Sequence, residues 1–381
     1  MNRDDSLLLV LVDGLPYGSV SPRDTPFLAS ASARGPLEPG LGFSINIYPE
    51  LFAGRQPDDL GYLNKWTIKP AEAYRHPPRL AGLAAGIADI SRVWPLGSRA
   101  LHKVWERAVG EKNLANIPFG MLHHFARNPS EEIFETTAYP TVFRDWDMKL
   151  LRSYLLPGRL GERDKTTVAL AMEAMQSGDS LFVMLGDLDG LAHAHGLGER
   201  FDAHIQVIDG WIESLVGAFR ERAGDSGHVV VLSDHGMART DPGKAVALDL
   251  RACCGPIGRD TYVPFVDALM LRVWVRDPGL AAKLGDYLSQ LECGSLLTPP
   301  ERRYFGVTSP DFGDIIFLLK EGFAFYPSFF GAKYPRALHG YHPKLDSQHS
   351  YFGYWGPGDI VVPARALGVF PVLQGLAGSE D

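Results

Sequence analysis

Three uninterrupted apolar runs, L-L-L-V-L-V (7–12), S-L-F-V-M-L (180–185) and H-V-V-V-L (228–232), each lead within a few residues to an Asp, and two of them also to a His. A strand that is apolar at nearly every position has both faces buried, which is the habit of parallel sheets covered on both sides. Such runs alternating with helical patterns predict the α/β class: a mostly parallel central sheet with helices on both faces. In such sheets ligands gather outside the carboxyl ends of the strands. Asp13, Asp189, Asp234 and His235 all stand there.

The helical patterns are of uneven strength. T-P-F-L-A-S-A-S-A-R-G (25–35) reads as a helix closed by Gly35, and D-K-T-T-V-A-L-A-M-E-A-M-Q-S-G (164–178) as another stopped by Gly178. The segment 201–222 places apolar residues at 205, 208, 212, 215 and 219, one face of a helix. Between 66 and 158 aromatics, Pro and Arg are scattered without a sustained strand pattern. This stretch predicts a largely helical cap insertion over the site, with 1–65 and 159–381 forming the catalytic core. Within that core, 238–335 reads as a smaller α+β excursion holding strand-like 267–275, a helix near 278–291 and strand-like 314–319.

At 381 residues, 45% hydrophobic and 22% charged, the chain has ample material for a core. A net charge of −8 argues against a nucleic-acid-binding surface or a membrane-surface binder, both of which want a basic face. It does not argue against an anionic substrate, because a pair of cations inverts the local field. Adjacent Cys253 and Cys254 with distant Cys293 make neither a disulfide framework nor a C-x-x-C zinc pattern, which suits a reducing compartment. The apolar run at 7–12 follows two acids and ends in Asp13 with no small-residue cleavage site, so it reads as a buried strand rather than a signal peptide. No run reaches the roughly 18 apolar residues of a membrane span. The expectation is a cytoplasmic protein acting on a small molecule.

The chemistry lies in G-D-L-D-G-L-A-H-A-H-G (186–196) and S-D-H-G-M (233–237). Asp and neutral His are ligands for borderline divalent metals such as zinc. The spacing of Asp189 and His193 lets both side chains turn toward one ion from a single loop. Two such clusters on neighbouring strand ends suggest a two-metal site, a common device for splitting phosphate esters.

Five stretches carry a resemblance: V-D-G-L around Asp13, S-I-N-I-Y-P-E-L-F-A-G-R-Q-P-D-D-L-G (44–61), D-G-L-A-H (189–193), S-D-H-G-M (233–237) and H-G-Y (339–341). In this order they resemble the alkaline phosphatase superfamily, in particular its type I phosphodiesterase/nucleotide pyrophosphatase branch. The resemblance implies an alkaline-phosphatase-like fold and a metal-dependent phosphoric ester hydrolase working through a phosphoserine intermediate. It implies that Ser44 is the nucleophile, that Asp13, Ser44, Asp234 and His235 hold one divalent ion, and that Asp189, His193 and His339 hold the other. Zinc is the expected metal, manganese the alternative. A Ser hydroxyl is a poor nucleophile at neutral pH, and coordination to a dication makes its alkoxide accessible.

The chain departs from the family at three places. Asn46 stands where the family often has Pro two residues after the nucleophile, and Leu60-Gly61 where it has His-Gly. The Asn that binds phosphate has no gap-free match: Asn64 is the nearest, Lys65 the alternative, and a structural Asn reads equally well. With 7–12 read as a strand and not a signal peptide, the expectation is a chain set apart from exported members. Among other histidines, His195 and His349 are runners-up as ligands, His342 follows His339 closely, and His123-His124 read as a solvated or half-buried pair. Trp66, Arg75, Arg79 and Trp94 of the insertion are candidates for a substrate pocket.

Alternatives remain open. A phosphomutase or phosphotransferase of the same superfamily would use further phosphate-binding residues. A sulfatase would need a C/S-x-P-x-R setting that Ser44 lacks. A catalytically inactive binding protein would be expected to have lost some of the seven ligand positions. The aromatic insertion tilts the expectation toward a substrate with a sizeable organic group.

Overall fold

The computed structural model describes residues 6–69, 117–128, 132–134, 137–175, 180–330 and 333–378. The chain divides into two compact units, one of residues 1–59, 130–240 and 335–381, the other of 60–129 and 241–334.

The first unit is built on a six-stranded sheet. Its strands are β1 (Leu7–Val12), β2 (Ala33–Leu37), β5 (Lys149–Arg152), β6 (Leu181–Leu185), β7 (His228–Leu232) and β16 (Ser350–Trp355), in the order β2-β16-β7-β1-β6-β5. β7, β1, β6 and β5 run parallel, while β16 is antiparallel to both β7 and β2. The predicted α/β class and its mostly parallel sheet are therefore present.

The unbroken apolar runs have a simple cause. Side chains alternate across a strand, so Leu8, Val10 and Val12 of β1 enter one hydrophobic cluster while Leu7, Leu9 and Leu11 enter another on the opposite face. The first cluster is closed by helices α3 (Arg163–Ala174), α4 (Asp187–His195) and α5 (Glu199–Ala223), the second by α2 (Ser44–Ala53) and α7 (Val369–Leu376). On α5 the predicted stripe Ile205, Ile208, Ile212, Leu215 and Phe219 is buried throughout.

One expected helix is mostly something else. In 25–35 only α1 (Pro26–Ala29) is helical, and Ala33–Leu37 form edge strand β2 against β16. The S-A-S-A run has little apolar surface to bury as a helix. The ladder to β16 offers it backbone partners instead, and Pro36 is tolerated because β2 lies at the sheet edge.

The expected cap insertion is divided by the structure. Residues 70–116, with Arg75, Arg79 and Trp94, lie outside the described residues. β3 (Trp66–Ile68) and β4 (Phe125–Arg127) pair antiparallel within the second unit, whereas 149–152 form β5 of the central sheet. The second unit also contains a four-stranded antiparallel sheet, β10-β11-β13-β12, of Tyr262–Val266, Met270–Val275, Ile315–Leu319 and Gly294–Leu296. Helix α6 (Pro278–Ser289) packs on it. Short pairs complete the ladders: β9 (Ala245–Val246) with β14 (Ala324–Phe325) in the second unit, β8 (Ala238–Arg239) with β15 (Ala337–Leu338) in the first. Among the described residues no helix is long and apolar enough to cross a membrane.

Helix α2 carries a buried charge problem. Glu50 is 1% exposed, its Oε1 accepts no hydrogen bond from any described residue, and it lies against Gly40, where a Cβ would collide with it. Burial pushes its carboxyl up to about 8, with Glu38 adding to the rise and Arg365 opposing it. The folded protein thus holds a proton that the unfolded chain releases near 4.5, so this group's contribution to stability declines as pH rises from about 4.5 through about 8. Glu50→Gln is expected to flatten that decline, raising the melting temperature by a few degrees at pH 8 and leaving it nearly unchanged at pH 5. Parallel thermal melts of the two proteins check this.

Candidate metal centre

The site is assembled by three adjacent parallel strands. β1 lies between β6 and β7 with Val12 opposite Leu185 and Leu11 opposite Leu232, so the chain leaves all three at one sheet edge. Asp13 follows β1 and its N–H donates to Leu185 O at 2.9 Å. Ser233, Asp234 and His235 follow β7. Gly14 then turns the chain with φ 76°, a conformation few side chains adopt. A Cβ there would stand 3.2 Å from Asp189 Cβ and 3.5 Å from His235 Cε1, so glycine is what lets three strand ends close up. Two bonds tie β1 to β7: Gly14 N–H to Asp234 Oδ1 at 3.3 Å and Leu15 N–H to Ser233 Oγ at 2.8 Å.

The D-x-x-x-H segment is a helix, not the loop expected. Asp189 and His193 share one face of α4, four residues apart, where side chains meet. His193 Nε2 is 3.1 Å from Asp189 Oδ1. The start of α4 is held by a reciprocal arrangement with α3. Asp164 accepts from the N–H groups of Gly186 and Asp187 (2.9 and 3.1 Å), while Asp187 accepts from Asp164 N–H at 3.1 Å and from Arg163 Nε at 2.8 Å. Each helix start is thus capped by a carboxylate belonging to the other.

Two histidines have a fixed tautomer. His193 Nδ1 lies 2.8 Å from Ala337 O and His235 Nδ1 lies 2.9 Å from Gly236 O, so each donates from Nδ1 to a carbonyl and directs Nε2 at the carboxylates. His235 Nε2 then stands 3.4 Å from Asp13 Oδ1, 3.2 Å from Asp234 Oδ2 and 3.1 Å from Ser44 Oγ. His339, in the segment after β15, stacks on His235 with ring centroids 3.4 Å apart, and its Nε2 is 3.6 Å from Asp189 Oδ1. Ser44 opens α2.

All seven sequence-predicted ligands are therefore gathered in the first unit. Among the described residues the ligand atoms form two close groups, Asp189-His193-His339 and Asp13-Asp189-His235, with Asp189 common to both. His195 is exposed on α4, two residues and thus about 200° round from His193. His349 lies outside both groups, its Nδ1 3.8 Å from Asp346 Oδ1. Asn64 belongs to the second unit, where it is buried, donates to the Asp267 carboxylate and accepts from Lys65 N–H at 2.7 Å. Trp66 and His124 are buried in that same unit. Tyr48 went unnoticed in the sequence, although it lies one helical turn beyond Ser44; its hydroxyl donates to Asp13 Oδ2 at 3.2 Å. The signal was there only if S-I-N-I-Y was read with a helical period.

Whether this donor set suits cations can be judged from what it lacks. Asp13 Oδ1, Asp189 Oδ1 and Asp234 Oδ2 are buried with only imidazole Nε2 atoms, 3.1–3.6 Å away, to meet them among the described residues, and buried His339 Nδ1 has no hydrogen-bond partner there. Buried carboxylates gathered this closely are costly unless positive charge, a proton or a cation, meets them. Three carboxylates facing imidazole nitrogens, whose protons a cation can displace, make a mixed O/N donor set suited to divalent ions of the zinc class.

The protonation pattern agrees. Burial, then Asp234 and Asp189, push Asp13 up to about 7, and burial likewise raises Asp234. Burial alone would lower His235, but Asp234, Asp13 and Asp189 together carry it up to about 10. His193 is raised against its burial by Asp189, and Asp189 is in turn held below the usual carboxylate range by His193 and His339 in spite of its burial. Burial and the neighbouring His235 keep His339 well below the ordinary imidazole value, hence neutral. Protons stand in for the positive charge that this cluster attracts.

A family model described as type I phosphodiesterase / nucleotide pyrophosphatase matches residues 72–252, which include Asp189, His193, Asp234 and His235. Human ectonucleotide pyrophosphatase/phosphodiesterase 5 has a similar structure, with a TM-score of 0.67 at 13% identity over 98% of this chain and 95% of that one. An inactive form of the murine protein in complex with AMP gives 0.65 at 13% identity, covering 98% and 95%, and the murine protein without that description 0.63 at 14%, again covering 98% and 95%. At such identities the likeness establishes the fold. No curated protein matches the sequence.

Proposed function

We propose that this chain belongs to the type I phosphodiesterase/nucleotide pyrophosphatase-like branch of the alkaline phosphatase superfamily, a reading supported by the family model and the shared fold, and that it hydrolyses phosphate esters by forming a phosphoserine on Ser44 at a centre for two divalent cations. The observation that carries this reading is the convergence of the buried Asp13, Asp189 and Asp234 carboxylates with three imidazoles beside the Ser44 hydroxyl. Asp13, Asp234, His235 and Ser44 would hold one cation and Asp189, His193 and His339 the other, zinc being the expected metal and manganese the alternative. When bound, the cations supply positive charge that lowers the pKa of the serine hydroxyl and offsets the charge of the phosphate.

The chain's own residues then do the following. Ser44 Oγ attacks phosphorus as its proton passes to solvent water, the bond from phosphorus to the leaving oxygen breaks, and that oxygen takes a proton from water and departs as the alcohol. Water next attacks the phosphoserine, the bond from phosphorus to Ser44 Oγ breaks, and Oγ takes back a proton released by the attacking water, leaving inorganic phosphate. His235 and Asp234 sit against Oγ and orient it. The position of Ser44 at the start of α2 sets the attacked phosphate near the positive end of the helix dipole. The three cysteines carry free thiols, which suits the cytoplasmic location that we add to the proposal.

A panel on zinc-loaded protein tests the reading: p-nitrophenyl phosphate, bis-p-nitrophenyl phosphate and nucleotide esters, the last suggested by the AMP held by the murine relative. Turnover of at least one, lost on chelation and restored by zinc, is the expected result. A protein carrying two cations per chain that turns over none of them would overturn it. Transfer of the phosphoryl group to an added alcohol or sugar in preference to water would favour the phosphotransferase alternative.

A further inference from the structure

Tyr48 is a buried phenol in the centre that the reaction outlined above does not use. Its ring is wedged in an aromatic cluster, 5.3 Å from Phe134 and 6.2 Å from Phe52 by centroids. That packing leaves the hydroxyl little choice of direction. It donates to Asp13 Oδ2 at 3.2 Å, with the Ser44 hydroxyl as its second polar neighbour. The other carboxylate oxygen, Oδ1, is the one that faces the candidate ligand His235, with Nε2 3.4 Å away. One oxygen is tethered and one is presented.

We propose that Tyr48 is a positioning residue for the centre: by engaging Oδ2 it fixes the rotamer of Asp13 and commits Oδ1 to the cation shared with Asp234 and His235. This inference rests on the two-cation reading given under Proposed function. A ligating carboxylate left free to rotate loses ordering entropy on binding, and losing such an outer partner typically lowers metal affinity or activity by about 10–100-fold. The role is local to one of the two groups, because the phenol engages Asp13, while Asp189, His193 and His339 pair with one another.

Tyr48→Phe is the natural probe, since it keeps the ring in its cluster and removes only the donor. In buffered free-zinc titrations, wild type should take up two cations. Tyr48→Phe should need about 10–100-fold more free zinc for one of them and an unchanged level for the other. With cobalt in place of zinc, the visible spectrum should change for that cation alone. The melting temperature of the chelated protein should not move, and kcat should fall more than KM rises. On an Asp13→Asn background the substitution should cost nothing further, because the phenol acts through that carboxylate. A wild type binding two cations matched by Tyr48→Phe in both affinities would overturn this inference alone. Equal losses on both backgrounds would overturn it too. A wild type that binds no divalent cation would overturn it together with the two-cation reading.

Discussion

Ser44→Ala is expected to reduce turnover of any accepted phosphate ester by on the order of 10³-fold or more, the scale seen when a nucleophile is removed from an otherwise intact site. The structure says why so much hangs on one oxygen. Ser44 Oγ lies 3.1 Å from His235 Nε2; Ile45, Asn46 and Ile47 follow it on α2, and the Tyr48 hydroxyl one turn on is committed to Asp13. The alanine variant should keep one cation at undiminished affinity, because Asp189, His193 and His339 form a group that does not involve Ser44. Metal analysis beside steady-state rates checks both halves. A variant with wild-type turnover would remove Ser44 from the mechanism. Rapid quenching with a labelled ester should trap phosphate on wild type and none on the variant.

The second large effect concerns which late histidine serves the centre. His339→Ala is expected to lose the cation held by Asp189 and His193 at ordinary free zinc, a weakening beyond the about 10–100-fold typical of an outer partner. Turnover should go with it, while His349→Ala keeps both cations. The two variants are separated by geometry: His339 stacks on His235 and reaches Asp189, whereas His349 pairs with Asp346 at the surface. Metal content per chain at matched free zinc decides the matter. Two cations in His339→Ala and one in His349→Ala would reverse the assignment.

Much of the fold was legible because burial writes itself into spacing. The apolar runs at 7–12, 181–185 and 228–232 announce strands buried on both faces, and the stripe on α5 announces a helix with one buried face. The segment 25–35 was not legible. Its S-A-S-A stretch has a weak preference of its own, and the partner that decides it, β16, comes more than three hundred residues later. The same limit explains the loop expected at 186–196. Asp, Gly and His at close spacing look like a turn, and only the carboxylate of Asp164 at the start of α4 makes a helix of them.

The sequence by itself determined the ligand types and their places at strand ends, because period and residue chemistry are local properties of the chain. The tertiary structure decided which of them meet. Strand order sets β1 between β6 and β7, and so brings Asp13 to Asp189 and Asp234 across more than a hundred and seventy residues. Packing brought His339, and not His349, against His235 and Asp189, gave Asn64 a carboxylate partner in the second unit, and placed the Tyr48 phenol on Asp13. These choices depend on contacts between segments far apart in sequence, and spacing along a chain carries no record of such contacts.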